Sequence, residues 1–307
     1  MFRVSLRLPL LAFFLVAGAI SAHAEDQLLR YPWQGVERTA ILHIPPGAAG
    51  HPAPLVVVMY GSDDKAANFQ KYSGFDAVAD KENFVTLYPE AIDGAWNIIA
   101  RKPVINGEPV DDVGFFRTML NDLVEKKIAD PKRIYATGFS FGALMSYTLA
   151  CSLPDRIAAI ATVSSAMNEA QMENCKPGHP MAVMVVNGNS DDVQPYDGAI
   201  RTYGRLTSVP ETTEYWRRID GCTGQTANFL PHLNPHDLTR ANRTEWTGCQ
   251  AGTGVERFRI ETGGHCAPRL ATATSDHQQD GPRFGGCSND FETPVEVWNF
   301  FQRYHHG

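Results

Sequence analysis

Residues 134–145, IYATGFSFGALM, decide the fold of this chain. An apolar, β-branched run ends at Thr137, and residues 138–142 then have the form G-x-S-x-G of a nucleophile elbow, followed by a helical pattern. A serine at such a sharp strand-to-helix turn has a strained backbone, which leaves room for little more than glycine on either side. Its hydroxyl stands at a helix N-terminus, where unpaired N–H groups can stabilise an oxyanion. The pentapeptide also recurs by chance, so the rest of the chain must supply an acid and a histidine.

The first 24 residues have the pattern of a signal peptide. Arg3 and Arg7 precede an apolar run over residues 8–20, and Ala22-His23-Ala24 is a small-residue cleavage site. The run is shorter than the roughly 18 to 20 residues of a membrane span. We therefore predict cleavage after residue 24 and a secreted or periplasmic protein, with the choice between these two left open.

Length, charge and hydropathy limit the classes of function. Residues 25–307 suit one α/β catalytic domain, and they contain no internal repeat or low-complexity tract. The net charge of −7 argues against nucleic acid as a partner. No stretch after the signal peptide is long and apolar enough to span a membrane, so no membrane partner is expected. The oligomeric state stays open.

The cysteines favour disulfides over metal or redox chemistry. An even number in an exported chain, without a C-x-x-C pair, is typical of a disulfide framework. Fifteen pairings are possible for six cysteines. We expect the sequential set, because each link closes a loop of about 20 to 30 residues and contributes roughly 3 kcal/mol. The expected pairs are Cys151–Cys175, Cys222–Cys249 and Cys266–Cys287.

The order of apolar runs predicts the fold class. An alternating stretch at residues 38–44 predicts an antiparallel edge strand or hairpin. A continuous apolar run predicts a strand buried on both faces at residues 55–60, and further strands are predicted at residues 84–88, 133–138, 157–164, 181–186 and 255–260. Helical patterns fall at residues 66–79, from 111, after the elbow, at 197–206 and 211–219, and from 293. This alternation predicts an α/β protein with a mostly parallel, doubly wound sheet, an antiparallel N-terminal edge and a single domain.

Two candidates for the remaining catalytic groups follow predicted strands. In a doubly wound sheet the ligand site lies beyond the carboxyl ends of the strands, and the expected chain order is serine, acid, histidine. Asp191 and Asp192 follow the fifth buried strand; only one of two adjacent side chains can point inward, and we take Asp191. His265 follows the last strand after two glycines. The plain alternatives are solvated turn aspartates and a loop histidine.

The proposed chemistry also needs an oxyanion hole and a substrate pocket. Backbone N–H groups of Phe141, after the serine, and of Ser62, in the loop after the first buried strand, are the expected donors. Trp96 and Phe139 are candidate walls of the substrate site, although either could equally be core packing. Ser140 would attack an acyl carbonyl, His265 would carry the proton, and the aspartate would orient the imidazole.

No metal site is expected. His232 and His236 are four residues apart, but Pro235 between them breaks the helix that would direct both imidazoles at one ion.

Several segments resemble a known family of secreted enzymes. They include residues 54–61, Leu87-Tyr88-Pro89 followed by Trp96-Asn97, residues 111–115, 135–145 and 188–196, and Gly263-Gly264-His265. Together they are similar to the polyhydroxybutyrate depolymerase and feruloyl esterase group, which belongs with carbohydrate esterase family 1. The resemblance implies an α/β-hydrolase fold, hydrolysis of carboxylic esters without a cofactor, and the triad Ser140, Asp191 and His265.

The chain departs from the family pattern near the site. The family's His-Gly before the oxyanion loop is Tyr60-Gly61 here, and its Gly-His-x-Trp-Pro is residues 264–268, GHCAP. A tryptophan that commonly walls the substrate site is thus absent, so the exact substrate is not carried over.

Three functional hypotheses follow from these observations. The first is an exported serine esterase acting on hydroxyalkanoate oligomers or feruloyl-type aromatic esters. The others are a serine peptidase of the same fold and a catalytically inactive binding protein that keeps the fold.

Overall fold

A computed structural model describes residues 24–98, 102–201, 204–269 and 286–307. Almost all of the predicted signal peptide therefore lies outside the described residues, as do residues 270–285 between Cys266 and Cys287. Within the described ranges the strands are β1 (Glu25–Trp33), β2 (Val36–Ile44), β3 (Ala53–Met59), β4 (Val85–Pro89), β5 (Val104–Ile105), β6 (Glu108–Pro109), β7 (Ala129–Phe139), β8 (Ala159–Val163), β9 (Ala182–Gly188), β10 (Ala199–Arg201), β11 (Gly204–Leu206), β12 (Gly224–Phe229), β13 (Arg240–Thr247) and β14 (Val255–Glu261).

Seven α-helices connect these strands within the same ranges. They are α1 (Ala66–Ser73), α2 (Phe75–Glu82), α3 (Asp112–Glu125), α4 (Phe141–Ser152), α5 (Glu169–Asn174), α6 (Val209–Asp220) and α7 (Thr293–Phe301). Side chains cap the N-termini of three of them: the Asp111 carboxylate accepts the Gly114 N–H at the start of α3, and capping boxes are formed by Asn168 with Gln171 at α5 and by Ser208 with Glu211 at α6.

One large sheet organises the molecule. Its strand order is β1-β2-β4-β3-β7-β8-β9-β14-β13-β12, and the six strands from β4 to β14 are parallel. Strands β3, β4, β8 and β9 are buried along their whole length, as expected when helices cover both faces. The predicted mostly parallel, doubly wound, single-domain α/β architecture is confirmed.

The chain reverses direction across the sheet between β3 and β7. Strand β4 lies on one side of β3 and β7 on the other. Because crossovers between parallel strands are right-handed, α1 and α2 cover one face, while α3, α4 and α6 cover the other. Helix α7 packs against α2 on the first face. The loops after β3 and β7 therefore diverge at a topological switch point, where open α/β sheets bind their ligands.

Both edges of the sheet are antiparallel. The predicted N-terminal edge is the β1–β2 hairpin, which pairs antiparallel with β4. A second antiparallel edge, β14-β13-β12, was not predicted. Strand β12 is exposed along nearly its whole length, so it carries no apolar run that could mark a buried strand.

Two predicted helices differ from the structure. The described residues of the stretch 197–206 are not helical: β10 pairs antiparallel with β11, and Gly198 has a positive φ of 79° that an α-helix does not allow. The predicted helix at 66–79 divides into α1 and α2, because Gly74 adopts a left-handed conformation with φ 79°.

A buried ion pair joins the N-terminal hairpin to α3. The Arg38 guanidinium lies 2.6 Å from the Asp112 carboxylate and 3.9 Å from the centre of the Phe115 ring. Arg38 also donates to the Glu90 carbonyl (3.0 Å), and the second Asp112 oxygen accepts the Asn97 N–H (2.6 Å). The pair thus anchors two points, Glu90 and Asn97, of the segment that follows β4.

Replacement of Asp112 tests how much this ion pair contributes to the free energy of unfolding. Asp112→Ala leaves a buried, unpaired guanidinium, which costs about 3 to 5 kcal/mol of unfolding free energy. The matched control is Asp155→Ala, which breaks an exposed ion pair with Arg117 and costs less than about 1 kcal/mol. Urea unfolding with the disulfides intact measures both values. Equal losses in the two variants would contradict the anchoring role.

Candidate active site

Ser140 occupies a strained backbone position between β7 and α4. Its φ of 54° and ψ of −116° lie in a backbone region that residues other than glycine rarely adopt. The Ser140 N–H donates to the Val163 carbonyl of β8 (2.9 Å), and the Ser140 carbonyl accepts from Ala143 and Leu144 in the first turn of α4. Sheet and helix therefore both hold the serine, and its side chain lies at the N-terminus of α4.

The two glycines of the pentapeptide are required by close backbone approach. A Cβ on Gly142 would lie 2.2 Å from the Met59 carbonyl oxygen, and a Cβ on Gly138 would lie 2.3 Å from the Gly142 carbonyl carbon. Neither site accommodates alanine without movement of the main chain. The G-x-S-x-G pattern is thus the sequence consequence of β3, β7 and α4 meeting at the switch point.

Asp191 and His265 form a direct hydrogen bond. His265 Nδ1 lies 2.7 Å from Asp191 Oδ2, and both side chains are buried. Because a carboxylate only accepts, Nδ1 carries the proton, and Nε2 is then the basic nitrogen of the ring. The other Asp191 oxygen accepts the N–H groups of Val193 and Gln194 at 2.8 and 2.7 Å. Asp192 is exposed, so Asp191 is the inward member of the adjacent pair.

The loop that carries His265, residues 263–269 (the base loop), is joined to the loop after β9. Ser190 donates its N–H to the Gly263 carbonyl (2.8 Å). A Cβ on Gly188 would lie 2.2 Å from the same carbonyl oxygen. Farther along, the Ser164 hydroxyl donates to the Cys266 carbonyl (3.0 Å). These contacts fix acid and base relative to each other and account for the glycine at position 188.

Phe139 and Gly61 connect the base to the serine. The Phe139 ring centre lies 4.9 Å from that of His265. A Cβ on Gly61 would lie 3.3 Å from Ser140 Cβ and 3.5 Å from Phe139 Cδ1. The structure therefore gathers the loop after β3, the serine and the histidine into one site. Phe141 is the first residue of α4, and Ser62 is an exposed residue next to Gly61, so both expected oxyanion donors lie on segments that border Ser140.

Trp96 is a core residue and not a wall of the substrate site. Its side chain has no exposed surface, and its indole N–H donates to the Tyr60 carbonyl (3.1 Å). The Tyr60 hydroxyl in turn donates to the Glu90 carboxylate (2.7 Å). The loop after β3 is thus supported from the core side by Tyr60, Trp96 and Glu90. Tyr60 and Glu90 were not predicted in this role, because nothing in the sequence marks residues 30 positions apart as partners.

The three disulfides form the predicted sequential set. Cys151–Cys175, Cys222–Cys249 and Cys266–Cys287 are bonded, and the described residues contain no free cysteine. The third bridge begins at the residue after His265. Beside it, Gly264 donates to the Gly286 carbonyl and Arg269 to that of Ser288, at 2.8 and 3.0 Å. The base loop is therefore fastened to residues 286–288.

The group with potential metal ligands lies elsewhere in the described part of the chain. Asp26, His43 and Asp76 present ligand atoms within 4.8 Å of one another on β1, β2 and α2. His43 Nδ1 lies 2.7 Å from Asp26, and Nε2 lies 3.0 Å from Asp80. Burial opposes the charged imidazole, but these carboxylates raise the pKa of His43 above its ordinary value. The hydrogen bonds of His43 to Asp26 and Asp80 thus explain why these side chains lie close together.

Among the described residues, none of the helices has the length and apolar character needed to cross a membrane.

The fold is that of the α/β-hydrolases. The acetyl xylan esterase of Aspergillus awamori superimposes with a TM-score of 0.55 at 15% identity, over 78% of this chain and 94% of that one. A thermostable esterase superimposes with a TM-score of 0.55 at 14% identity, over 92% of this chain and 63% of that one.

Sequence comparison then identifies the family. Residues 39–221 match the esterase PHB depolymerase family, and the chain belongs to it. The NocK protein of Nocardia uniformis subsp. tsuyamanensis is 31% identical over 247 residues, 76% of this chain and 72% of that protein. Feruloyl esterase B of Piromyces equi is 28% identical over 74% of this chain and 42% of its own length. Feruloyl esterase D of Neurospora crassa is 27% identical over 80% of this chain and 71% of its own length. The protein is a carboxylic ester hydrolase, as the sequence resemblance implies.

The third disulfide generates a prediction about activity. Replacement of Cys266 and Cys287 by serine releases the base loop, so kcat/KM on para-nitrophenyl butyrate should fall at least tenfold. The matched control is the same double replacement at Cys222 and Cys249. The disulfide between these two residues closes a loop of similar length (27 against 21 residues) next to α6 and β13. Both lose roughly 3 kcal/mol of stability. An equal loss of activity per folded molecule in the two variants would rule out a specific role for the base-loop bridge.

Proposed function

We propose that this protein is an exported serine esterase that works through an acyl-enzyme, with Ser140 as nucleophile, His265 as general base and acid, and Asp191 as orienting carboxylate. The observation that carries the proposal is the buried 2.7 Å hydrogen bond between Asp191 and His265, in the same site as a serine with the backbone of a nucleophile elbow.

In the first half of the proposed cycle, Ser140 Oγ attacks the ester carbonyl while His265 Nε2 accepts its proton. The tetrahedral oxyanion receives hydrogen bonds from the N–H groups of Phe141 and Ser62, and the dipole of α4 adds to this stabilisation. His265 then donates the proton to the departing alcohol, which leaves the acyl group on the serine.

In the second half, water takes the place of the alcohol. His265 removes a proton from the water as it attacks the acyl-enzyme, and returns that proton to Ser140 as the carboxylic acid leaves. Asp191 fixes the imidazole in the required tautomer throughout. The two backbone N–H groups that bind its other oxygen keep the carboxylate from rotating away.

The names of relatives guide the choice of substrate. The matched family is named for PHB depolymerase, and two of the relatives are feruloyl esterases. We therefore propose hydroxyalkanoate oligomers or feruloyl-type aromatic esters as the substrate classes. Three disulfides favour an oxidising compartment, so we further propose that residues 1–24 are an export signal and residues 25–307 the mature catalytic domain.

Loss of the serine hydroxyl tests the nucleophile. Ser140→Ala should lower kcat on para-nitrophenyl butyrate roughly 10³-fold or more, because no acyl-enzyme can form. The control Ser152→Ala, an exposed serine at the end of α4, should retain wild-type activity. Wild-type rates in Ser140→Ala would reject the assignment, whereas a purified wild type without turnover would favour the binding-only alternative.

Single amide substitutions test the acid. Asp191→Asn removes the acceptor charge at His265 Nδ1, so kcat should fall roughly 10³- to 10⁴-fold. Asp192→Asn is the matched control, since its exposed side chain lies one residue away, and it should change kcat less than twofold. Steady-state kinetics on one ester compare them. A large loss confined to Asp192→Asn would transfer the role to that residue.

A further inference from the structure

An apolar pocket lies beneath the base loop, on the face of the sheet covered by α1, α2 and α7. The space inside it that the centre of a water-sized sphere can reach is about 80 Å³. That is several times the roughly 10 to 15 Å³ that one water molecule needs. Its floor comes from the carboxyl ends of β3, β7 and β8, the same strand ends that border the switch point.

The walls of the pocket suit an apolar ligand group. Its lining includes the rings of Phe69, Phe75, Phe139 and Pro294. Two of the hydroxyls that border it are engaged elsewhere: that of Tyr72 donates to the Asp64 carboxylate, and that of Thr293 to the Pro268 carbonyl (2.9 Å). Arg269 is the charged residue of the lining, and its guanidinium lies beside Gly74 at the junction of α1 and α2.

Phe139 connects this pocket with the reacting groups. Its ring faces the pocket and also contacts both sides of the site, with 4.9 Å between the ring centres of Phe139 and His265 and with Gly61 of the oxyanion loop against its edge. The two residues that follow His265, Cys266 and Ala267, line the same pocket. The pocket therefore shares one wall, the Phe139 ring, with the site that holds His265 and Gly61.

Ala267 controls how much of this space is open. It is the smallest side chain that the base loop contributes, and it is only partly buried. A large side chain at this position would project from a loop that is fixed before Ala267 by the Cys266–Cys287 bridge and after it by the hydrogen bond from the Arg269 N–H to the Ser288 carbonyl. Such a side chain would have to enter the pocket or block its mouth.

We propose that this pocket binds the apolar chain or ring of the ester substrate and that Ala267 sets the length it accepts. The proposal rests on the proposed function, because the pocket borders the reaction only if Ser140 and His265 react. Burial of each further methylene is worth about a factor of four in kcat/KM until the pocket is full. The enzyme therefore prefers esters with an extended apolar group over those with an acetyl or methyl group.

Two matched ester series show whether the pocket binds the acyl side or the alcohol side of the substrate. Methyl acetate, butyrate and hexanoate lengthen the acyl chain, whereas methyl, butyl and hexyl acetate lengthen the alcohol; a pH-stat follows the released acid in both. In one series the wild-type kcat/KM should rise about fourfold per methylene. In Ala267→Trp the ratio of kcat/KM between the longest and shortest member of that series should fall at least tenfold.

The control is Ala227→Trp, an exposed position on edge strand β12, which should keep the wild-type ratio. If circular dichroism shows that Ala267→Trp does not fold, Ala267→Leu is judged by the same ratio. The proposal is overturned if neither wild-type series depends on length, or if the Ala267 variant keeps the ratio of the control. Failure of the proposed function has a different signature, namely unchanged hydrolysis in Ser140→Ala, which does not bear on these ratios.

Discussion

The close approach of three backbones, those of β3, β7 and α4, is the constraint on which the rest of the structure depends. At Gly142 the helix comes so near the end of β3 that no Cβ fits, and Gly138 meets the same limit on the strand side. This contact forces Ser140 into a conformation that costs of order 1 to 3 kcal/mol. Hydrogen bonds to β8 and within α4 hold it there, so the surrounding fold maintains the strain at the proposed reaction centre.

Two further arrangements support this junction from opposite sides. Below the loop after β3, the buried Trp96 indole donates to the Tyr60 carbonyl and lies tilted against the Tyr60 ring, while Arg38 and Asp112 fix the chain that leads to it. On the other side, the base loop is joined to β9 by its glycines and to residues 286–288 by a disulfide. Several positions that resemble the family in sequence, among them Trp96 and Gly263, thus support the site.

Elements were predictable where their physical cause leaves a pattern of residues in the sequence. Strands such as β3 and β9 were predicted because burial on both faces leaves continuous apolar runs, and the elbow was predicted because only glycine fits its contacts. The exposed strand β12 lacks such a run, and the hairpin β10–β11 was mistaken for a helix because the left-handed conformation of Gly198 is not visible in the sequence. Trp96 was ambiguous because an aromatic residue in a core and one in a pocket have the same sequence signature.

The central claim is that the strained serine reacts with the help of the histidine held by Asp191. Peptide mass spectrometry after treatment with a fluorophosphonate tests it most directly, by locating the covalent adduct and timing its formation. The account predicts one adduct, on the peptide that contains Ser140, formed at least a hundredfold more slowly in His265→Ala than in the wild type. An adduct on another serine, or equal labelling rates in the two proteins, would contradict it.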